Sequence, residues 1–561
     1  MLTLGAVWGA WLLLRIGFLK TFSSVGYHEV NAHGHAQIFG WVGLFVMGFA
    51  YQAFPRFKHT SLAYPKLAYA TLGLMITGIL LRSGLEPFAN AYGLLRFPTI
   101  FGTGLEIVAI ILFGWIILAT WKRSLQPIAF YDYYILSAMV WFVIQAIYEL
   151  ALLVGTLSAS TPERELSLIA TYQAPLREIQ IYGFAMLMIF GVGQRIFPRF
   201  YGLPDPTPQK SLIILGMINF SIMVQSTAFI LMQKASHAWA GLWYLSSVGL
   251  VLSITLLIWD LNPFAKAAEG DRSLKFIRIA FGWLLISLSM LTLLPVYQFF
   301  LLPALSPGSN SVQIGFSHAF YGAIRHAVTV GFISMMIVGV SAKVVPTLNG
   351  IDPRSLSGLW APFFLINVGC ALRVSFQTLT DITDTAFPIA GISGIFEVTG
   401  LGLWGFHLFG LMRTRQENSE PSSTQVKGYR PLRENGSFEG GNVVAEVLDA
   451  YPHLLTQFVD SGFTPLRNPL VRKTMGRITT LEMACRRIGL DQEAFLQALT
   501  EARDKCDGDH TPTSIHSNDW QGEPDIDKTQ GEPRSRGMNT NADPNASVQS
   551  APPEFHSNGI G

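Results

Sequence analysis

Residues 33–57 read HGHAQIFGWVGLFVMGFAYQAFPRF, and this stretch decides the fold because the chain repeats its pattern twice more. It is apolar and exceeds the roughly 20 residues that a helix needs to cross a bilayer. It nevertheless begins with two histidines and a glutamine, and it ends at Pro55 and Arg56. An imidazole is costly to desolvate inside a membrane, so it usually has a partner there. A metal ion is one candidate for that partner.

The composition of the whole chain is that of an integral membrane protein. Half of the 561 residues are hydrophobic and only 14% are charged, whereas soluble domains average about 25% charged residues. The net charge of +2 gives no indication of a nucleic-acid partner. The three cysteines form no CxxC pair, so neither a disulfide framework nor a cysteine zinc site is indicated.

Apolar stretches of membrane-spanning length predict twelve transmembrane helices. They lie at about residues 2–19, 33–55, 62–82, 99–121, 130–156, 177–197, 211–232, 238–261, 277–303, 324–345, 357–376 and 386–412. Lysine and arginine are concentrated in the loops after spans 2, 4, 6 and 8. The positive-inside rule therefore predicts a multi-pass protein of a bacterial-type inner (plasma) membrane, in contact with lipid and with both termini in the cytoplasm. Spans 2, 6 and 10 then begin at the outer face.

The composition changes after the last span. Residues 1–415 form the predicted twelve-helix membrane domain, and the polar residues 416–441 are typical of a linker. Apolar residues return at helical spacing over 442–505, which predicts a small helical cytoplasmic domain. Residues 506–561 are rich in Asp, Asn, Pro, Ser and Gly, a composition that predicts disorder.

The opening stretch recurs twice, which predicts three repeats of four helices each. Its terminal proline, Pro55, aligns with Pro198 and Pro346, which follow at intervals of 143 and 148 residues. Two columns of glycine align without gaps, Gly40/Gly183/Gly331 and Gly48/Gly191/Gly339. Small residues on one helix face let neighbouring backbones approach closely in lipid. The glycines are therefore interpreted as packing positions.

Ionisable residues occupy the column five positions before the first glycine. That column holds His35, Glu178 and His326, and the position before it holds Arg177 and Arg325 in two of the repeats. Equivalent positions lie at one depth, so His35 and His326 are expected to face each other across the bundle. Neutral imidazole is a good ligand for iron, copper and zinc, and two facing imidazoles could hold a haem iron axially. The alternative is a pair of hydrogen-bonded histidines at helix ends.

The other candidates have weaker support. His33 is two residues from His35 and points to nearly the opposite side of the helix, so it is expected at the interface or as a separate metal ligand. Glu178 could relay protons or ligate a metal, while Arg177 and Arg325 could bind the propionates of a haem. A purely structural Arg–Glu pair is an equally good interpretation of these three residues.

The arrangement resembles known membrane proteins. Twelve spans in three units, with histidines near the outer ends of spans 2 and 10, resemble subunit I of the haem–copper oxidases and nitric oxide reductases. Residues 325–340, RHAVTVGFISMMIVGV, are similar to the NnrS family, twelve-span haem- and copper-containing proteins associated with the response to nitric oxide. The resemblance covers roughly residues 1–415. It implies that His35 and His326 are haem or metal ligands.

The chain departs from the oxidase pattern where oxidases hold copper. Span 6 offers Arg177 and Glu178 in place of a histidine, and span 7 has none. An oxygen-reducing binuclear centre is therefore not expected, and a bound copper would take its ligands from His33, Glu178 or the outer loops. Residues 443–463 resemble a small helical domain found with hybrid-cluster and other redox proteins, but Pro465 and Asn468 replace its CxxC. This domain is expected to dock an electron donor or another redox partner, or to regulate the protein.

These features lead to one preferred hypothesis and two alternatives. The preferred function is a membrane haem protein, with or without copper, in nitric oxide response or metabolism, with its metal between spans 2 and 10. It would bind gas, transfer electrons or act as an oxidoreductase on nitric oxide. The first alternative is a subunit of a true oxidase or nitric oxide reductase. The second is a transporter with Glu178, Arg177 and Arg325 around a central aqueous cavity.

Overall fold

The computed structural model describes residues 2–267, 271–349, 351–413, 430–432, 437–467, 471–472 and 476–507. Within these ranges the regular structure is helical, and the only β-type pairing is an isolated bridge between Val443 and Thr480. The prediction of an all-α chain is therefore confirmed. Most of the predicted linker 416–441 and nearly all of the predicted disordered tail 506–561 lie outside the described residues.

The membrane domain consists of long apolar helices. A shorter one, Gly5–Leu19 (α1), comes first. The part of the chain that the structure describes then contains eleven helices long and apolar enough to cross a membrane. These are labelled α2 to α12 in chain order: Tyr27–Phe57, Pro65–Ala89, Gly93–Lys122, Phe130–Leu157, Pro162–Tyr201, Pro208–Lys234, His237–Leu261, Leu274–Thr292, His318–Leu348, Trp360–Leu379 and Ala386–Met412. The chain is thus a multi-pass membrane protein, with eleven rather than twelve helices of spanning length found in the described residues.

The ninth helix is shorter than the sequence predicts. A single span over 277–303 was expected, but α9 ends at Thr292 and a short apolar helix, Leu294–Leu305, follows it. Pro295 is the second residue of that following helix. Proline is favoured in the first turn of a helix because the missing N–H group has no intrahelical partner there. The sequence therefore supports a new helix start at this point.

The third and fourth helices of each predicted repeat pack against each other, as α3 with α4, α7 with α8 and α11 with α12. Glycine permits this contact in the first and third repeats. A Cβ atom at Gly78 would lie 2.7 Å from the carbonyl oxygen of Gly102, and one at Gly369 would lie 2.9 Å from that of Ser393. Gly78 and Gly369 are 291 residues apart, the separation of His35 and His326. The repeat therefore extends to these helix pairs.

The glycine columns of the sequence have more than one role. Gly183 and Gly331 make room for indole rings, since a Cβ atom there would lie 2.9 Å from Cγ of Trp141 and 2.5 Å from Cγ of Trp283, respectively. By contrast, no neighbouring atom lies within 4 Å of a Cβ placed on Gly48. Gly183 and Gly331 are therefore packing positions, as the sequence predicts, whereas Gly48 is not.

The second helix of each repeat contains a π-helical segment at the same place. The segments are Ala36–Gly43 in α2, Ile179–Met186 in α6 and Ala327–Ser334 in α10. Each begins directly after the ionisable column of His35, Glu178 and His326. Such segments are rare and occur frequently at functional sites. The three equivalent segments therefore mark the middle of α2, α6 and α10 as a candidate functional region.

The C-terminal domain has a hydrophobic core of its own. Its helices are Val444–Ala450 (α13), Leu455–Asp460 (α14), Leu481–Ile488 (α15) and Gln492–Asp507 (α16). Three phenylalanine rings, of Phe458, Phe463 and Phe495, lie at the centre of this core, with centroids 5.1 to 5.7 Å apart. Cys485 belongs to the same core.

Candidate functional site

A cavity of about 360 Å³ lies between α1, α2, α6, α10, α11 and α12. Its volume falls within the roughly 300–1,000 Å³ that is usual for ligand pockets. Apolar side chains form much of its wall. The ionisable residues in the wall are His33, Arg177, Arg325, His326, Arg373 and Glu397. The cavity therefore combines two imidazoles with three guanidinium groups.

His33 faces this cavity in a fixed orientation. Its Nδ1 lies 2.9 Å from the carbonyl oxygen of Gly5, so Nδ1–H donates a hydrogen bond and Nε2 keeps its lone pair. The ring packs on α1 at Gly9, where a Cβ atom would overlap it. A backbone carbonyl that fixes the tautomer in this way is typical of metal-binding histidines. The sequence had favoured the interface for His33 because it could not show which face of α2 lines a cavity.

His326 and His35 each bind a glutamate of their own repeat. Nε2 of His326 lies 2.7 Å from Oε1 of Glu397, and Nε2 of His35 lies 3.0 Å from Oε1 of Glu106. Both the histidines and the glutamates are separated by 291 residues (326 − 35 and 397 − 106). The structure thus reveals a repeated His–Glu pair. The signal was present in the sequence, but only the second helix of each repeat had been aligned.

His35 does not line the cavity. Its side chain is fully buried, its ring stacks on Phe39 with centroids 4.2 Å apart, and its Nδ1 lies 3.5 Å from Oε1 of Glu149. Both of its ring nitrogens therefore face carboxylates, those of Glu106 and Glu149. The structure does not bring His35 and His326 to opposite walls of one cavity. Their role as metal ligands stays a prediction.

A chain of mostly buried charges joins the first repeat to the second, which contributes Glu149 and Glu165. Glu165 and Glu86 lie 3.0 and 2.9 Å from the two nitrogens of His28. Glu86 also binds Arg82, which lies 3.1 Å from Glu149. Charged groups in the membrane interior are tolerated when they are paired in this way. This network could not be predicted from the sequence because its members lie on four different helices.

The third repeat carries the equivalent arginine without the equivalent acids. Arg373 follows Arg82 by 291 residues, but Gln377 replaces Glu86 at the same separation. Nε and Nη1 of Arg373 are buried and have no hydrogen-bond partner among the described residues. An unpaired buried guanidinium is costly. Glu397, in the wall of the same cavity, is a charged neighbour of Arg373, and the two free N–H positions could bind an anionic ligand.

The adjacent residues Arg177 and Glu178 have different partners. Arg177 donates a hydrogen bond of 2.6 Å to Oε1 of Gln180 and also binds Asn31. Glu178 accepts a hydrogen bond of 2.5 Å from the hydroxyl of Tyr321.

Glu178 also pairs with Arg325 of the third repeat, whose Nη2 lies 3.9 Å from its Oε1. The two arginines, Arg177 and Arg325, therefore line the cavity, and Glu178 lies outside the wall in contact with Arg325.

Comparison with known protein families identifies the membrane domain. The profile of the NnrS protein family matches residues 1–415. The chain belongs to the NnrS family. A second profile, a domain of unknown function (DUF1858), matches residues 442–496. No curated protein matches the chain.

The fold of this NnrS protein is similar to that of a solved oxidase. The similar structure is a chain of a heme-copper terminal oxidase dimer determined by cryo-EM. It has a TM-score of 0.53 and 13% sequence identity, and the match covers 90% of this chain and 97% of that one. At this identity the similarity establishes the fold. The resemblance to the NnrS and haem–copper oxidase architecture is thereby confirmed.

The cavity of the NnrS protein carries an excess of positive charge. Three guanidinium groups, of Arg177, Arg325 and Arg373, and one carboxylate, of Glu397, line it. With both imidazoles neutral, the lining side chains alone sum to 3 − 1 = +2, while Glu149 and Glu178, outside the wall, lie 3.8 Å from Arg177 and 3.9 Å from Arg325. Nε and Nη2 of Arg325 are also buried without a hydrogen-bond partner in the described residues. Guanidinium groups bind carboxylates through strong charge-assisted hydrogen bonds, so the cavity suits an anionic ligand.

A copper site made only of protein side chains finds no support in this geometry. In the ranges that the structure describes, no three His, Cys, Asp or Glu side chains are grouped closely enough to hold a metal ion. His33 and Glu178, the residues considered for copper, do not line one cavity. The donor set fits an imidazole-ligated group better than an isolated copper ion.

Proposed function

We propose that this NnrS protein binds a haem in the cavity between α2 and α10 and acts in the response to nitric oxide. The observation that carries this proposal is the combination of two imidazoles, His33 and His326, with three guanidinium groups in one cavity. Haem iron is commonly held by histidine, and arginine side chains would bind the two propionates of a haem.

The residues of the chain fit such a group in a specific way. The Gly5 carbonyl holds His33 with Nε2 free for a metal, and Glu397 orients His326. Nε2 of His326 binds Glu397 in the described geometry, so His33 is the better prepared ligand. Arg325 and Arg373 would receive the propionates with N–H groups that make no hydrogen bond among the described residues. The haem itself would supply the binding of nitric oxide or the transfer of single electrons.

The experiment that tests this function is a reduced-minus-oxidised absorption spectrum of the detergent-purified protein, with and without nitric oxide. We expect a haem signal that is lost in His33→Ala and in His326→Ala. His35→Ala tests the ligand predicted from the sequence, and His237→Ala, at the exposed first residue of α8, is the matched control. A protein matured with adequate iron that shows no haem signal would overturn the proposal.

The same experiment separates the alternatives. A subunit of a true oxidase or nitric oxide reductase should turn over with a quinol or cytochrome donor, and the lack of a protein copper cluster in the described residues argues against it. A transporter should contain no haem and should bind an anionic substrate at Arg177, Arg325 and Arg373. A protein without haem that takes up an anion into liposomes would establish the transporter.

We also propose that the C-terminal domain, residues 442–505, docks an electron donor. The support is its resemblance to domains found with redox proteins and the loss of the CxxC motif, which leaves binding as its remaining role. A variant that ends at residue 415 should keep the haem spectrum but lose rapid reduction by cell extract. Equal reduction rates for the two proteins would refute this role.

A further inference from the structure

A second cavity, which we call the axial chamber, lies between α2, α6 and α10. These are the second helices of the three repeats. Its volume is about 60 Å³. The three repeats contribute equivalent residues to its wall, as in the sets Val42/Ala185/Ile333 and Phe45/Met188/Met336, whose members are 143 and 148 residues apart. The chamber therefore lies on the pseudo-threefold axis of the molecule.

The chamber is lined by apolar side chains, with Gly193 as the one residue without a side chain. A buried water needs two to four polar partners, and genuinely empty cavities in proteins are apolar and accept apolar guests such as xenon. Protein interiors are otherwise packed as densely as organic crystals. This single void, lined by equivalent residues of three repeats, therefore offers space for an apolar guest. It offers no polar partners for an ion or a chain of waters.

The axial chamber adjoins the cavity of His33 and His326. Two residues, Val42 and Ile333, line both spaces. Both lie in the π-helical segments, at the end of Ala36–Gly43 and of Ala327–Ser334. A guest in the chamber is thus separated from the polar cavity by aliphatic side chains. Among the residues that the structure describes, no charged side chain lines the axial chamber.

We propose that the axial chamber is a binding site for an apolar diatomic gas and supplies it to the neighbouring cavity. A cavity needs about 10–15 Å³ to hold one water-sized guest, so the chamber can hold a few diatomic molecules. Gas binding in the chamber is independent of any cofactor. The supply of gas to a haem rests on the proposed function.

The direct test is xenon binding by the full-length protein. Crystals pressurised with xenon should show anomalous density between Ala185 and Met188 of α6 and their equivalents in α2 and α10. Ala185→Leu fills the chamber with three further carbon atoms and should abolish this density. Ala170→Leu, the same change at an exposed position of α6, should leave it intact.

A second variant, with the opposite expected effect on xenon occupancy, controls for a folding defect in Ala185→Leu. Met188→Ala enlarges the chamber and should increase the xenon occupancy. Unchanged xenon density in both chamber variants would overturn the proposal. Continuous density for a lipid or isoprenoid chain in the chamber would do so as well, because the site would then bind a hydrocarbon tail.

A kinetic measurement tests the supply of gas to the cavity. If the protein binds haem, Ala185→Leu should slow the association of nitric oxide several-fold without changing the haem spectrum. An unchanged association rate would refute the supply route. A protein that binds xenon but contains no haem would leave the gas site standing and remove the haem proposal, so the two failures are distinguishable.

Discussion

At the residue scale, we expect opposite effects on stability when the equivalent arginines Arg82 and Arg373 are replaced by glutamine. Arg82→Gln leaves Glu86 and Glu149 buried without their shared cation, and breaking a buried pair costs about 3–5 kcal/mol. We therefore expect a large fall in the melting temperature of the detergent-purified protein. Arg373→Gln removes a charge with no hydrogen-bond partner at Nε and Nη1 among the described residues, so the protein without ligand should be as stable or more stable.

The two variants are controls for each other, because they make one change at the same position of two repeats. In haem-loaded protein, Arg373→Gln should speed the transfer of haem to apomyoglobin. Any loss of haem from Arg82→Gln should be accounted for by the lower stability of that variant. Equal destabilisation by both changes would contradict the assignment of Arg373 as a ligand-binding residue.

The thiol of Cys485 gives a second prediction at this scale. Burial raises the pKa of Cys485 above that of an exposed thiol, so little reactive thiolate is present at pH 8. In a Cys506→Ser background, iodoacetamide should modify Cys485 slowly at pH 8 and rapidly in urea. Fast modification of the folded domain would show that the core around Cys485 is open.

At the scale of helices, the close contact of α11 with α12 can be tested through glycine. A Cβ atom at Gly369 would lie 2.9 Å from the Ser393 carbonyl oxygen and 2.6 Å from Cγ of Glu397. Gly369→Ala should therefore separate the helices and displace the partner of His326, at a cost of about 1–3 kcal/mol for overpacking. The check is the melting temperature, with Gly402→Ala, in open space on α12, as the control. Equal melting temperatures would contradict this packing.

The positions of the helices could be predicted from the sequence far better than the faces by which they contact their neighbours or line a cavity. Length and hydropathy are local properties, so each of α2 to α12 was predicted, although α6 begins 15 residues before its predicted start (177 − 162) and α9 ends 11 residues before its predicted end (303 − 292). The column of His35 and His326 also follows from sequence alone. Their partners, Glu106 and Glu397, do not, because a contact between helices depends on packing. The π-helical segments likewise have no local signal in the sequence. Which face of α2 lines the cavity, and with it the place of His33, also depends on packing between helices.

At the scale of the whole molecule, the orientation in the membrane remains to be tested. Lysine and arginine favour the loops after α2, α4, α6 and α8, which predicts that these loops are cytoplasmic. Gln126 lies in the exposed loop before α5, and Ser160 lies in the exposed loop before α6. In a protein without its native cysteines, an impermeant maleimide should label Ser160→Cys in intact cells. It should label Gln126→Cys only after permeabilisation. The reverse pattern would invert the protein and place His33 and His326 at the cytoplasmic side, where a haem would meet soluble donors directly.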